Sequence, residues 1–246
     1  MRKFGLIGKK LSHSFSKKYF TEKFKREGIL DAQYELYELP HMAGLPELLQ
    51  QEPELVGLNV TVPYKEQVIP LLDEMDEAAA QIGAVNTIKI SGGKTKGFNT
   101  DFIAFKSSLQ EFYPIHKQSK ALVLGTGGAA KAVWAALDAL AIPFLKVSRT
   151  AGAGQVSYSQ LSDQVLQTHQ LIINTTPIGM YPQVQEAPEL PFSGITQQHY
   201  VYDLVYNPEE TLLMQKCAAN GAKVINGLPM LYQQADAAWS IWNFKY

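Results

Sequence analysis

The sequence predicts an α/β protein made of two units, and three observations carry that prediction. Strand-like and helix-like segments alternate along almost the whole of its 246 residues. In mid-chain a glycine-rich turn, Gly125-Thr126-Gly127-Gly128-Ala129-Ala130, follows a short apolar strand and opens a long helix. The alternation restarts there, so a new βαβ series begins near Ser119. The length suits one large or two small domains, and 46% hydrophobic residues supply their cores.

In the first unit, Lys3 to Ile7 reads as a strand and Ser16 to Gly28 as a helix, with Phe20 and Phe24 one turn apart. Gln33 to Glu38 is a strand, Gly44 to Gln51 a helix and Leu55 to Val62 a strand. Helices follow from Pro63 and from Asp73 to Ile82, then a strand from Ala84 to Ile90. Gly92-Gly93 turns the chain into Lys94 to Gly97. Phe102 to Phe112 is a helix, with Thr100 or Asp101 as its N-cap. In the second unit the strands are Ala121 to Leu124, Phe144 to Ser148, Leu171 to Asn174, Tyr200 to Val205 and Ala222 to Ile225. Its helices are Gly128 to Ala141, Ser159 to Gln167 and Pro208 to Asn220. A parallel sheet with right-handed crossovers follows from that order. A last helix runs from Pro229 to Trp242, with Leu231, Ala235, Ala238 and Trp242 on one side.

Composition excludes several classes of function. Charged residues are 18% and the formal net charge is −1, so neither nucleic acid nor an acidic membrane is an expected partner. Cys217 is the single cysteine, which rules out an internal disulfide and suits a reducing compartment. Five scattered histidines show no metal-ligand spacing, and no metal is expected. The start, Met1-Arg2-Lys3-Phe4-Gly5, lacks a signal-peptide pattern, and no segment is long enough to span a bilayer. The expectation is a cytoplasmic protein acting on a small molecule, as a monomer or a homodimer.

The densest chemistry lies in Gly57-Leu58-Asn59-Val60-Thr61-Val62-Pro63-Tyr64-Lys65. Leu58, Val60 and Val62 alternate as a buried face, which puts Asn59 and Thr61 together on the other. Pro63 suits a first helical position and sets Lys65 in the first turn, against the helix dipole. An amide, a hydroxyl and an ammonium thus meet at the carboxyl end of a strand, where open α/β sheets bind ligands. An edge strand with a solvated lysine accounts for the same residues.

Gly125-x-Gly127-x-x-Ala130 matches the dinucleotide fingerprint in its required setting, strand before and helix after. Gly125, Thr126, Gly127, Gly128 and Ala129 would cradle a pyrophosphate on the helix N–H groups. The strand after that helix ends in Ser148-Arg149-Thr150, with no acid before Asp163. NAD-preferring folds carry an acid there for the ribose 2′-hydroxyl. A guanidinium instead forks onto a 2′-phosphate, so NADP is the expected cofactor.

Other polar clusters are each explicable as turn chemistry. Ser12-His13-Ser14-Phe15-Ser16 offers hydroxyls and helix N–H groups to a carboxylate, although a serine N-cap needs only one of them. His13 suits a structural role better than catalysis. Asp101 is a good N-cap, and Asn86-Thr87 and Asn99-Thr100 close strands.

Taken in order, these pieces resemble the shikimate dehydrogenase family over essentially the whole chain. They are His13 to Ser16, Asn59 to Lys65, Gly83-Ala84-Val85-Asn86-Thr87, Asn99-Thr100-Asp101, Gly125 to Ala129 and Asn174-Thr175-Thr176-Pro177-Ile178-Gly179-Met180. Asp203-Leu204-Val205-Tyr206-Asn207-Pro208 and Gly227-x-x-Met230-Leu231-x-x-Gln234-Ala235 close the series. The resemblance implies a substrate domain over residues 1–101, completed by 228–246, a Rossmann-type NADP domain over 102–227, and a cleft between them. It implies NADP-linked, reversible reduction of 3-dehydroshikimate to shikimate. Ser14 and Ser16 would hold the substrate carboxylate, and Asn59, Thr61, Asn86, Asp101 and Gln234 its hydroxyls, with Tyr206 nearby. Lys65 would be catalytic, paired with Asp101. Gly125 to Ala129 and Ser148 to Thr150 would bind NADP, with Leu204 and Gly227 at the nicotinamide end and Glu77 close to the cofactor.

The chain departs from the family pattern at Lys17, where proline is usual, and at Ala104, where glycine is usual. Ser148 replaces an asparagine, and Gly152-Ala153-Gly154 lacks a second basic residue, which implies weaker cofactor discrimination. Two other readings use the same residues: a quinate or mixed quinate/shikimate dehydrogenase, and a non-catalytic NADP-binding sensor.

Overall fold

Apolar alternation near the N-terminus becomes β1 (Arg2–Gly8), and the paired phenylalanines that follow become one face of α1 (Phe15–Arg26). The computed structural model describes residues 1–11, 14–115 and 120–243. Ser12 and His13 lie outside the described residues. Contacts divide the chain into two compact units, Met1–Thr100 with Ala235–Tyr246, and Asp101–Gln234. Each holds a six-stranded sheet among the described residues.

After α1 the first unit runs through β2 (Ala32–Glu38), α2 (Leu45–Gln51), β3 (Leu55–Val60) and α3 (Tyr64–Gln67). It continues with β4 (Glu74–Met75), α4 (Glu77–Ile82), β5 (Thr87–Ser91), β6 (Lys94–Phe98) and the first residue of α5 (Thr100–Phe112). Its sheet order is β2-β1-β3-β5-β6-β4, with β3–β5 and β5–β6 antiparallel and the other pairs parallel. Ile7, Leu58 and Val60 pack on Leu45, Leu48 and Tyr64 on one side of the sheet. Phe4, Phe20, Phe24 and Tyr34 pack with Ala235, Ala238 and Trp242 on the other.

The second unit comprises the rest of α5 from Asp101, then β7 (Ala121–Leu124), α6 (Gly128–Ala139), β8 (Phe144–Ser148), β9 (Gln155–Ser157), α7 (Asp163–Thr168) and β10 (Leu171–Asn174). It ends with β11 (Tyr200–Asp203), α8 (Leu212–Ala219), β12 (Lys223–Ile225) and α9 (Leu228–Asn243), whose residues from Ala235 onward belong to the first unit. Every strand pair in this sheet is parallel, in the order β12-β11-β10-β7-β8-β9. Read from β9, that is the doubly wound dinucleotide-binding order, which reverses direction between β7 and β10.

Several elements differ from the sequence expectation. β3 stops at Val60 because the β1 ladder runs out: the Thr61 N–H donates to Ile7 O at 3.0 Å, and Tyr64 N–H then turns back onto Thr61 O at 2.9 Å. Val62 therefore lies at a turn, 72% exposed, and does not extend the buried face. Pro63 is the N-cap of α3 and not its first residue, and α3 is a single turn. The helix expected from Asp73 begins at Glu77, where Asp76 accepts from Ala78 N–H at 3.1 Å. Asp73 instead accepts from the N–H and hydroxyl of Thr95, which holds the two-residue β4 against β6. β9 was not anticipated, being three residues without an apolar run. α7 and α8 start later than expected, at the serine and threonine caps Ser162 and Thr211.

Gly57 opens the nonapeptide for a packing reason. A Cβ there would come within 2.4 Å of the Trp242 ring, whose Nε1–H donates to Ile88 O at 2.9 Å. Gly57→Ala should therefore lower unfolding free energy by about 1–3 kcal/mol, the usual cost of overpacking. Urea denaturation followed by tryptophan fluorescence measures it; an unchanged midpoint would show that the indole can move without cost.

Candidate active site

Around Lys65 the backbone is pinned before any ligand is considered. Tyr64, almost fully buried, anchors α3 in the core, and its hydroxyl donates to Leu39 O. The carbonyl of Lys65 itself accepts from Val85 N–H at 2.8 Å. Lys65 thus stands half-buried between a core anchor and the segment that leads into β5.

That segment is organised by Asn86. Its carbonyl accepts from Val60 N–H at 2.8 Å, and its Oδ1 accepts from Thr100 N–H at 2.7 Å. Its Nδ2 donates to the Thr100 hydroxyl at 3.0 Å. Thr100 is the first residue of α5, so the amide supplies the partner that a helix-starting N–H lacks. Neither Thr100 nor Asp101 is the N-cap, as the sequence reading had it; both belong to the helix, and Asp101 is the residue after the one that Asn86 holds.

Asn59 ends one residue short of the strand terminus and is 5% exposed. Its Oδ1 accepts from the Tyr34 hydroxyl at 2.7 Å, and its Nδ2 donates to Thr87 Oγ1 at 3.2 Å and more weakly to Asn86 O at 3.5 Å. The amide orientation is set by these partners. Tyr34 stacks on Phe20 with ring centroids 4.6 Å apart. Burial drives its phenol well above the ordinary range, an effect the neighbouring Ser16 hydroxyl partly offsets. Thr61 is not in the strand, but its backbone is still tied to Ile7.

Ser14 caps α1, accepting from Lys17 N–H at 3.4 Å, whereas Ser16 is inside the helix. A cap uses only the acceptor side of a hydroxyl, so the Ser14 proton remains available to an anion. Lys17, in place of the usual proline, pairs with Glu35 at 2.7 Å. Glu77 is exposed on α4 and accepts from Gln81 Nε2 at 3.4 Å.

In the second unit the glycine turn joins β7 to α6 where the strand order reverses. Gly125 has φ 106°, and a Cβ on it would meet Thr175 Oγ1 at 2.7 Å and Thr176 Cγ2 at 2.9 Å. Only glycine satisfies both constraints. A Cβ on Gly127 would meet nothing within 4 Å, and this residue caps α6 with no side-chain hydrogen bond. The turn therefore offers α6 N–H groups and open space together, with Thr126, Gly128 and Ala129 beside it. Ser148 ends β8, Arg149 and Thr150 are exposed just beyond it, and the Arg149 charge reaches Tyr158.

Leu204 and Gly227 are in direct backbone contact. A Cβ on Gly227 would fall 2.1 Å from Leu204 O, and Gly227 N–H donates to Val205 O at 3.2 Å. Tyr206 follows, 38% exposed, its phenol raised by partial burial. Gln234 donates to Leu231 O at 3.1 Å within α9. Among the described residues no group of His, Cys, Asp or Glu is placed to hold a metal, and no helix is long and apolar enough to cross a membrane.

Sequence reasoning gave no role to Tyr34, Thr87, Thr175 or Thr176. Gly83 to Thr87 and Asn174-Thr175-Thr176 stood among the family-like pieces, so a signal existed for the three threonines. Tyr34 carried none, because only the fold sets β2 one strand away from β3, across β1, where the phenol reaches Asn59.

A family model described as the shikimate dehydrogenase substrate binding domain matches residues 6–88. The shikimate dehydrogenase (NADP+) of Halothermothrix orenii is 37% identical, over 97% of this chain and 89% of that protein. Shikimate 5-dehydrogenase of Thermus thermophilus, solved with NADP(H) and shikimate, is similar with a TM-score of 0.88 and 30% identity, over 99% of this chain and 94% of its own. Quinate dehydrogenase of Corynebacterium glutamicum, solved with NAD, also has a TM-score of 0.88, at 28% identity over 98% and 93% of the two chains.

Tyr34→Phe keeps the stacked ring but leaves Asn59 Oδ1 without its donor. The expected cost is about 1–3 kcal/mol, the penalty for one unsatisfied buried acceptor, read from urea denaturation. A loss below this range would mean that another donor replaces the phenol.

Proposed function

The chain belongs to the shikimate dehydrogenase family, and on that premise we propose that it catalyses the NADP-linked, reversible reduction of 3-dehydroshikimate to shikimate in the cytoplasm. The observation that carries this reading is the convergence of Asn59, Thr61, Lys65 and Asn86 at one end of the first sheet, on backbone tied to Ile7, Val60 and Val85. The free, buried Cys217 suits a reducing compartment.

The residues of the second unit fit NADP. The open, uncapped start of α6 suits a pyrophosphate, and Gly125 lets the turn lie flat against Thr175 and Thr176. Arg149, with Ser148 and Thr150, would take the 2′-phosphate; Leu204 and Gly227 would border the nicotinamide, and Glu77 would approach the cofactor. When bound, NADPH supplies the hydride from its nicotinamide C4.

The protein's own part is to hold the substrate and manage one proton. Ser14 and Ser16 donate hydroxyl protons to the substrate carboxylate. Asn59, Thr61, Asn86, Tyr206 and Gln234 orient its ring hydroxyls, with the two amides held in place by Tyr34, Thr87 and Thr100. Lys65, as an ammonium, polarises the ketone oxygen and donates its proton as hydride arrives. Asp101 is assigned as its partner, a carboxylate that gives the pair a proton acceptor in the oxidation direction. Both residues expected of a catalyst are present, which favours an enzyme over a cofactor-binding sensor. The similarity to a quinate dehydrogenase keeps quinate as a second substrate; steady-state rates on both acids with both nicotinamides decide between them.

Lys65→Ala should lower kcat about a hundredfold or more, with little change in the KM for shikimate, as for loss of an acid–base group. Near-normal turnover would remove Lys65 from the chemistry. Arg149→Ala should reduce the preference for NADP over NAD by roughly ten- to a hundredfold, the value of one charged hydrogen-bonding group. An unchanged ratio of kcat/KM for the two cofactors would assign the 2′-phosphate elsewhere.

A further inference from the structure

Asp203 ends β11 with no exposed surface, and the proposed chemistry makes no use of it. Its Oδ1 accepts from Asn174 Nδ2 at 2.9 Å and from Val205 N–H at 3.0 Å, while its Oδ2 accepts from the Thr211 hydroxyl at 2.6 Å. Burial pushes its pKa up, and these donors work against that shift. Each donor leads to a different part of the second unit. Asn174 Oδ1 accepts from Thr176 N–H at 3.0 Å and from the Thr176 hydroxyl at 2.6 Å. Thr176, with Thr175, is the wall against which Gly125 lies. Val205 carries the carbonyl that receives Gly227 N–H, next to the Leu204 carbonyl on which Gly227 packs. Thr211 accepts from Met214 N–H at 3.3 Å and starts α8.

A carboxylate is the one side chain that only accepts, through several lone pairs at once. It therefore obliges Asn174 to turn its NH2 toward β11 and its carbonyl toward Thr176. With an alternative donor at that position the Asn174 amide would be free to flip, and Thr176 would lose both of its bonds.

We propose that Asp203 is a positioning residue for the NADP site. Through Asn174 and Thr176 it holds the wall opposite the Gly125 turn, and through Val205 it holds the Leu204–Gly227 contact. The proposal rests on the NADP reading above, and the following measurements separate the two.

NADP+ is titrated calorimetrically into the full-length protein, its Asp203→Asn, Thr176→Val and Thr211→Val variants, and the Asp203→Asn/Thr176→Val double variant. Asp203→Asn and Thr176→Val should each weaken binding about tenfold, the scale of one lost hydrogen bond in a site. The double variant should bind no more weakly than the weaker single one, because both cut the same chain of bonds. Thr211→Val breaks the Oδ2 bond and the Met214 cap bond of α8 but neither Oδ1 bond, so it should lower the melting temperature yet stay within about twofold of wild type in NADP+ affinity. The KM for shikimate at saturating NADP+ should stay within about twofold for all variants, since the effect is confined to the cofactor. Wild-type NADP+ binding by Asp203→Asn, or additive losses in the double variant, would overturn the proposal. So would a Thr211→Val loss equal to that of Asp203→Asn. If Asp203→Asn does not fold, Thr176→Val decides alone: wild-type affinity there overturns it. A wild-type protein that fails to bind NADP+ would instead overturn the cofactor reading on which the proposal stands.

Discussion

An amide buried just ahead of β5 has to find partners for its oxygen and its nitrogen, and Asn86 finds them on other elements. Its main chain closes the end of β3 through Val60, and its side chain serves the first N–H and hydroxyl of α5 through Thr100. Buried polar groups left without partners cost more than the bonds they make return, so this arrangement has few alternatives. Asn59, tied to Thr87 and to Asn86 O, inherits its orientation from it, and Tyr34 closes the circuit from β2. Lys65 is positioned by the neighbouring bond to Val85. Removing any member leaves a buried partner exposed to the same penalty.

The second unit solves a similar problem with a charge. Asp203 joins the loops after β10 and β11 and the start of α8, as Asn86 joins β3, β5 and α5. The difference suits the geometry. At Asn86 both donors and acceptors must be met, which an amide can do. At Asp203 every neighbour donates, which only a carboxylate accommodates. Both networks are thus centred on polar groups whose own exposure is close to nil, and in the second unit the residues around the network are open to solvent. Arg149, Thr150, Thr126 and Tyr206 are exposed in this way.

Much of this was legible in one dimension. The parallel order of the second sheet follows from alternating strand and helix signals, and Gly125 to Ala130 declared its turn by strand before and helix after. Errors fell where local pattern and pairing diverge. Val62 continues the alternation of Leu58 and Val60, yet the partner strand has ended and the chain turns away. Asp73 looks like the start of a helix, but its carboxylate is taken by Thr95 across the sheet. β9 has too little apolar content to announce itself, and exists because β8 offers it an edge.

What the sequence determined alone was the inventory: an ammonium after a strand end, two seryl hydroxyls at a helix start, a glycine turn, and an arginine where an acid would select NAD. Those follow from residue type and spacing within one element, where side-chain direction is set by local periodicity. What only the tertiary structure decided was orientation. Which way the amides of Asn59, Asn86 and Asn174 face depends on Tyr34, Thr100 and Asp203, residues distant in sequence that reach them through sheet pairing or through the loops at strand ends. The physical reason is that a buried amide has two orientations of equal local energy, and only its non-local hydrogen-bond partners choose between them.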